Sequence, residues 1–245
     1  MKWALLLLLP ACNALLGVHD FAGNDPHPDG ALPSSDVAMC GGHDEDADGR
    51  PDACDPCPQD PSTGDSDADG VGDACDPHRT TSGDHLLFFD GFGVADPAWS
   101  SSGSWAFAMD AVGATGSGSL IRTIPSTTSF AVETTFTLAS MTTAQQYVGI
   151  AGGQIGCSLE LSPDALVVSA ASTTVTQPFT IKQGEPIPVR LVVHNGIATC
   201  SAGGQLPAQV SLPTDGNAVT TVGIATAFTG STVVAAAWFA AYASP

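Results

Sequence analysis

Two stretches of the chain carry carboxylates at a spacing that suits a hard divalent cation. The stretches DEDADGRPDACDP and DSDADGVGDACDP occupy residues 44–56 and 65–77 and agree at ten of thirteen positions. In both, aspartates stand at positions 1, 3, 5, 9 and 12 and glycine at position 6. Alternate side chains of such a tight loop point inward, and the glycine permits its sharp turn. The sequence therefore predicts two Ca²⁺ sites.

The predicted ligands are carboxylates together with one backbone carbonyl in each loop. The first site comprises Asp44, Asp46, Asp48, Asp52 and Asp55 with the Arg50 carbonyl, and the second comprises Asp65, Asp67, Asp69, Asp73 and Asp76 with the Val71 carbonyl. The spacing is that of an EF-hand loop, except that aspartate replaces the usual glutamate at position 12. Because proline follows each loop, we expect a coil wrapped on metal and no flanking helices.

The pattern D-x-D-x-D-G-x-x-D-x-C-D, repeated across a C-P-x-D-P spacer, resembles the thrombospondin type 3 repeat over about residues 40–77. The resemblance implies Ca²⁺ as the cofactor of residues 38–78. It also implies that Cys57 pairs with Cys75, which leaves Cys40 for Cys54 and Cys157 for Cys200. Six cysteines allow fifteen pairings, so this connectivity is a preference. A redox or zinc role for the Cys54-x-x-Cys57 pair is disfavoured, because the flanking aspartates oppose thiolate formation.

Acidic charge is concentrated in the first third of the chain. Residues 13–84 hold seventeen acids and two arginines, most of the net charge of −19. A solvated, disordered linker is the alternative interpretation, but random acidity would not repeat one register twice. The segment has too few apolar side chains for a core, so its order must come from ions and disulfides. The acidity also argues against nucleic acid as a partner, because phosphates would be repelled.

The chain begins with a short apolar run that ends in Leu9-Pro10-Ala11-Cys12. This stretch resembles a bacterial lipoprotein signal peptide, residues 1–12, whose cysteine carries the lipid. The resemblance implies lipidation of Cys12, membrane attachment through that lipid and a cell-envelope location. The alternative is ordinary secretion with cleavage near Ala14. Residues 13–37, rich in Pro, Gly, Asp and Ser, are predicted to be a flexible tether.

Composition changes after a short polar linker, residues 79–84. Residues 85–245 read as short runs of Val, Ile, Thr, Ala and Phe broken by turn residues, which is typical of an all-β domain. Residues 130–138 alternate with period two, and Asn195-Gly196 predicts a tight hairpin. The domain should therefore hold a hydrophobic core of its own. We expect it to stay folded without calcium while the repeats open.

A second resemblance covers about residues 86–243. The opening Phe89-Asp90-Gly91-Phe92, the middle PVRLVVHNG and the closing Val222-Gly223-Ile224 with Ala236-Ala237-Trp238-Phe239 are similar to a concanavalin A-like (laminin G-like) jelly roll. The resemblance implies a β-sandwich, with another sandwich type as the rival. Ala236-Ala237 stands where the family usually has acidic residues or asparagine, so a metal or sugar role there is not implied.

The polar residues of the β-domain suggest binding and no catalysis. Laminarinase-type enzymes of this fold carry an E-x-D-x-x-E pattern, which the sequence lacks. Glu133, Glu160 and Arg190 lie on the polar sides of predicted strands and would line a glycan-binding sheet if those strands were neighbours. We therefore expect a non-enzymatic lipoprotein that recognises a glycan or surface protein. The alternatives are a polysaccharide-active enzyme and a structural spacer whose one ligand is calcium.

Overall fold

Two antiparallel sheets packed face to face form most of the protein, which a computed structural model describes over residues 42–108, 110–140, 146–213, 218–228 and 233–245. The strands, in chain order, are β1 (His85–Asp90), β2 (Trp99–Ser102), β3 (Trp105–Phe107), β4 (Val112–Thr115), β5 (Gly118–Thr127), β6 (Phe130–Ser140), β7 (Gln146–Gly152), β8 (Ile155–Leu161), β9 (Ala165–Ala170), β10 (Thr173–Pro178), β11 (Pro186–His194), β12 (Ile197–Ala202), β13 (Ala208–Ser211), β14 (Val219–Ala227) and β15 (Val233–Ala243).

The strand order interleaves distant parts of the chain, as jelly rolls do. Sheet A runs β13-β12-β11-β6-β15-β4-β3, with β1 also paired to β15, and sheet B runs β10-β9-β8-β7-β14-β5-β2. All described pairings are antiparallel. The predicted all-β sandwich is confirmed.

The side-chain alternation anticipated from the sequence builds the core. In β6, Phe130, Val132, Phe136 and Leu138 are fully buried between the sheets. The hairpin between β11 and β12 turns at Asn195 and Gly196, whose φ angles of 49° and 72° are those of the left-handed region that this turn requires.

A disulfide crosses the core. Cys157 lies on β8 in sheet B and Cys200 on β12 in sheet A, and their sulfurs are bonded as predicted. Both side chains are fully buried. The link therefore ties the two sheets together covalently from the inside.

Residues 42–84 form an irregular segment, called here the repeat segment. Its one regular element among the described residues is a 3₁₀ turn over Asp52–Cys54. The Cys57–Cys75 disulfide is present as predicted. Cys54 is also disulfide-bonded, and its predicted partner Cys40 lies outside the described residues.

The repeat segment packs against the outer face of sheet A, within one compact unit with the sandwich. The side chains at this interface form a small apolar cluster. Its buried members are Cys57, Val71, Cys75, Ala131, Ala240 and Tyr242. The sequence led us to expect two modules of independent stability. Because the two share a buried interface, we now expect the stability of the sandwich to depend on the repeat segment. The predicted domain boundaries stay a prediction.

Candidate functional site

The two acidic loops adopt the same backbone conformation. The alanine at position 4 has a φ of 59° in Ala47 and 60° in Ala68, and the glycine at position 6 has a φ of 93° in Gly49 and 96° in Gly70. In each loop that glycine N–H donates to the aspartate at position 1 over 3.0 Å. Positive φ at the sixth position favours glycine, so the backbone conformation that the two loops share accounts for the glycine that both sequences carry there.

Each loop gathers three carboxylates around one point. Oxygens of Asp44, Asp46 and Asp48 lie within 4.8 Å of one another, as do oxygens of Asp65, Asp67 and Asp69. Several of the buried oxygens accept no hydrogen bond from any described residue. They are Asp44 Oδ1, Asp46 Oδ2 and Asp55 Oδ2 in the first loop, and both oxygens of Asp67 with Asp76 Oδ2 in the second. Converging buried anions without donors fit a hard cation ligated by oxygen.

Burial makes these carboxylates reluctant to ionise when no cation is present. It raises the pKa of Asp46 and of Asp55, and it raises the pKa of Asp76 to about 6. Neighbouring carboxylates raise these pKa values further. A bound divalent cation would remove both penalties by supplying the missing positive charge.

Asp52 and Asp73, predicted ligands at position 9, have other partners in the structure. Asp52 accepts from the Glu45 N–H over 2.8 Å and lies 3.2 Å from His43 Nδ1. Asp73 accepts from both the N–H and the hydroxyl of Ser66, each over 2.8 Å. In each loop, the aspartate at position 9 thus accepts a hydrogen bond from the backbone N–H of the residue at position 2, which closes the loop. Direct coordination by these two residues stays a prediction, as does that by the Arg50 and Val71 carbonyls.

Two acidic residues that were not predicted as ligands, Glu45 within the first loop and Asp84 after the second, lie near the predicted sites. Glu45 has a buried Oε2 that accepts no hydrogen bond among the described residues, and burial raises its pKa to about 7. Asp84, in the predicted linker, lies with Asp69 and Asp76 in a third carboxylate group. The sequence repeat does not extend to Asp84, because the corresponding residue after the first loop is Thr63.

Glu133 and Arg190, predicted to line a glycan surface, meet on neighbouring strands of sheet A. They are register partners on β6 and β11, with 3.8 Å between Glu133 Oε2 and Arg190 Nε. The repeat segment covers them. Gln59 Nε2 donates to Glu133 Oε1 over 3.2 Å, and Arg190 Nη2 donates to the Cys75 carbonyl over 2.9 Å. The solvent-facing position expected for Glu133 is therefore wrong, since the residues that cover it lie far away in the sequence.

The environment of Glu133 disfavours its charged form. Burial raises its pKa, while Arg190 and the hydrogen bonds of Tyr242 and Gln59 oppose that rise. A cleft of about 220 Å³ opens beside this pair, with Trp238 and Gly203 among its lining residues. The pair thus serves chiefly to join the repeat segment to sheet A.

Glu160 lies on the other sheet, so the three predicted glycan residues do not share one surface. It projects from the outer face of sheet B, where a depression of about 360 Å³ runs across β7, β8 and β9. Tyr147, directly opposite Glu160 in the register of β7 and β8, is 40% exposed. The pair places an aromatic ring beside a carboxylate.

Small residues form the floor of this depression. Gly149, Ala151, Gly156 and Ala225 lie among its lining residues on adjacent strands. A Cβ on Gly149 would lie 2.5 Å from the Cys157 carbonyl oxygen, so this part of the floor has no space for a side chain. Hydroxyls of Ser158, Ser169 and Thr174 add hydrogen-bonding groups. An apolar floor with an aromatic ring and a few polar groups suits a polyhydroxylated ligand.

The predicted lipid site, Cys12, and the tether over residues 13–37 lie outside the described residues. Within the described ranges, no helix has the length and apolar character needed to cross a membrane. Lipid attachment therefore stays a prediction.

Comparison with known proteins supports the fold. No family model matches the sequence, and no curated protein does. Among solved structures, the VIP36 exoplasmic/lumenal domain in its metal-free form is similar, with a TM-score of 0.53 and 10% identity, over 65% of this chain and 93% of that chain. The CBM2 module of Lactobacillus casei BL23 phage J-1 evolved Dit has a TM-score of 0.52 and 10% identity, over 65% of this chain and 95% of that chain.

A longer protein shares the same sandwich. The GH43 protein BlXynB from Bacillus licheniformis matches with a TM-score of 0.50 and 13% identity, over 64% of this chain but 39% of that chain. The fold is that of the concanavalin A-like sandwiches. Identities this low concern the fold alone, so the function must be argued from the described side chains.

Proposed function

We propose that this protein is a calcium-stabilised, non-catalytic glycan-recognition protein of the bacterial cell envelope, and that the glycan lies in the depression on the outer face of sheet B. One observation carries the proposal. An exposed Tyr147 and its register partner Glu160 lie beside a floor of glycine and alanine in a depression of about 360 Å³. Sandwiches of this fold include a CBM2 module and a GH43 protein, which is consistent with a carbohydrate ligand.

The depression favours binding over hydrolysis. Glycosidic cleavage by the usual route uses two carboxylates on opposite sides of the bond, separated by about 5–10 Å. Glu160 is the one carboxylate among the described residues that line the depression. Glu133 lies on the other sheet beneath the repeat segment and cannot serve as its partner.

Calcium would supply order to the repeat segment. The carboxylates of both loops would hold the ions, with affinities on the order of 0.1–1 mM, as in other extracellular modules. The buried oxygens without donors support this part of the proposal. Disulfides also fit an extracellular or envelope location, and lipidation of Cys12 would provide the anchor.

The test is a glycan array probed with the protein in calcium, followed by titration of the best ligand. Tyr147→Ala should weaken binding at least about tenfold, because the exposed ring offers an aromatic face on which a sugar can stack. Glu160→Gln should weaken it, because the charged carboxylate accepts stronger hydrogen bonds from sugar hydroxyls than a neutral amide does. Ile197→Ala is the matched control, since Ile197 is similarly exposed, at 43%, but lies on sheet A.

Two results would contradict the proposal. One is an array with no bound glycan in the presence of calcium. The other is a Tyr147→Ala variant that binds as tightly as the wild type. Hydrolysis of a bound polysaccharide would support the enzyme alternative instead.

A further inference from the structure

We propose that Asp69, Asp76 and Asp84 bind an additional divalent cation, of the Ca²⁺ class, that fastens the second acidic loop to the residue from which the sandwich begins. Oxygens of the three carboxylates lie within 4.8 Å of one another. Asp76 is only 3% exposed and Asp84 only 1%. The inference rests on the calcium-binding part of the proposed function and adds an ion whose third ligand comes from outside the repeats.

The protein groups around this cluster leave it short of positive charge. His78 Nδ1 lies 3.1 Å from Asp84, and backbone N–H groups of His78 and Gly83 donate to Asp76 Oδ1 and Asp69 Oδ2. Asp76 Oδ2, which belongs to a buried side chain, accepts no hydrogen bond from any described residue. A buried carboxylate oxygen without a donor, on a side chain grouped with two further carboxylates, is a position for a cation.

The cluster is distinct from the ion expected within the second loop. Asp65, Asp67 and Asp69 form that group, and Asp69 belongs to both groups. Asp76, predicted from the sequence as a ligand of the loop ion, groups with Asp69 and Asp84 and not with Asp65 and Asp67. A carboxylate has about four lone-pair sites, so Asp69 can serve two ions while it accepts backbone hydrogen bonds. Ca²⁺ takes six to eight oxygen ligands, and water would complete its shell.

The place of Asp84 in the chain gives this ion its role. Asp84 immediately precedes β1, which pairs with β15 in sheet A. The ion would therefore join the second loop to the first strand of the sandwich. The first loop has Thr63 at the corresponding position, so only the loop nearer the sandwich would be fastened in this way.

Native mass spectrometry of the full chain across a calcium titration tests the inference by counting bound ions. The wild type should reach three, one in each loop and one at the cluster. Asp84→Asn should reach two, and Asp84→Ser provides a second variant of different shape. Asp60→Asn is the control with the same change of charge in the same segment, because Asp60 hydrogen-bonds Ser62 and lies outside all three carboxylate groups. It should keep three.

The count separates failure of this site from failure of the proposed calcium function. A wild type that stops at two ions overturns the additional site and leaves the loop sites standing. A wild type that binds none overturns both. If both Asp84 variants still bind three ions, the cluster is not the third site. A wild-type count below three overturns the additional site by itself, so the proposal can be refuted even if the Asp84 variants fold poorly.

Discussion

Replacing Arg190 by methionine should destabilise the protein through the charge that it leaves behind on Glu133. The two side chains are 23% and 11% exposed, and 3.8 Å separates Arg190 Nε from Glu133 Oε2. Removing one member of a buried ion pair typically costs about 3–5 kcal/mol, because the remaining charge loses its partner. The arginine is partly exposed, so we expect a loss near the lower end, about 3 kcal/mol. For a unit of this size, that lowers Tm by about 6–12 °C.

The loss should depend on pH with a definite sign. Burial already raises the pKa of Glu133, and Arg190 opposes that rise. Without the arginine, the folded-state pKa lies further above the unfolded-state value, so the folded state retains its proton more strongly. The penalty relative to the wild type is therefore absent at low pH, where both proteins hold the proton, and grows as pH rises from the wild-type to the variant folded-state pKa. Arg190→Met should cost little at pH 4 and progressively more as pH rises.

Thermal unfolding followed by circular dichroism, with every variant compared with the wild type at the same pH and calcium concentration, provides the measurement. The double variant Glu133→Gln with Arg190→Met removes both charges and should recover all but about 1 kcal/mol. Lys182→Met is the control, because its ion pair with Glu185 is exposed and should contribute less than about 1 kcal/mol. The reasoning fails if the double variant is as unstable as the single one, or if the Arg190→Met loss does not change with pH.

Three other predictions concern the repeat segment and the anchor. Chelating calcium should make residues 42–77 sensitive to protease. It should also lower the Tm of the sandwich, because the repeat segment and the sandwich share a buried apolar cluster. A sandwich transition that does not move would show that this interface contributes nothing to stability. Replacing Cys57 and Cys75 together by serine should cost about 3 kcal/mol in denaturant unfolding, from a loop that spans 18 residues. Changing Cys12 to serine should abolish fatty-acid labelling and release the chain, and an unlabelled wild type would point to ordinary secretion.

The sequence was most informative where a local rule determines the backbone. Glycine at position 6 of each acidic loop and Asn195-Gly196 in the hairpin require positive φ, and both signals can be seen in a short stretch of sequence. The period-two alternation of β6 likewise predicted which side chains enter the core. These features depend on neighbours in the chain, so the sequence alone predicted them.

Contacts between segments that are distant in the sequence could not be predicted from such local rules. Alternation assigned Glu133 to the polar side of its strand, but the segment that buries it includes Gln59, 74 residues earlier in the chain. Glu160 and Arg190 resembled each other as charges on strands, yet the strand order places them on opposite sheets. The third carboxylate group was missed for the same reason, since Asp84 approaches Asp69 and Asp76 only after the chain has folded back.

The bond between Cys157 and Cys200 bears on where this chain can become rigid. Closing a loop across 43 residues removes about 4 kcal/mol of unfolded-state entropy, a large part of the roughly 5–15 kcal/mol that holds a domain together. In a reducing cytoplasm the disulfide would not form, so the chain would lack this stabilisation there. A newly made chain would then remain loose enough to be threaded through an export channel. If the chain is exported as proposed, oxidation on the far side would add this contribution, and the compartment would set the time at which the protein reaches its full stability.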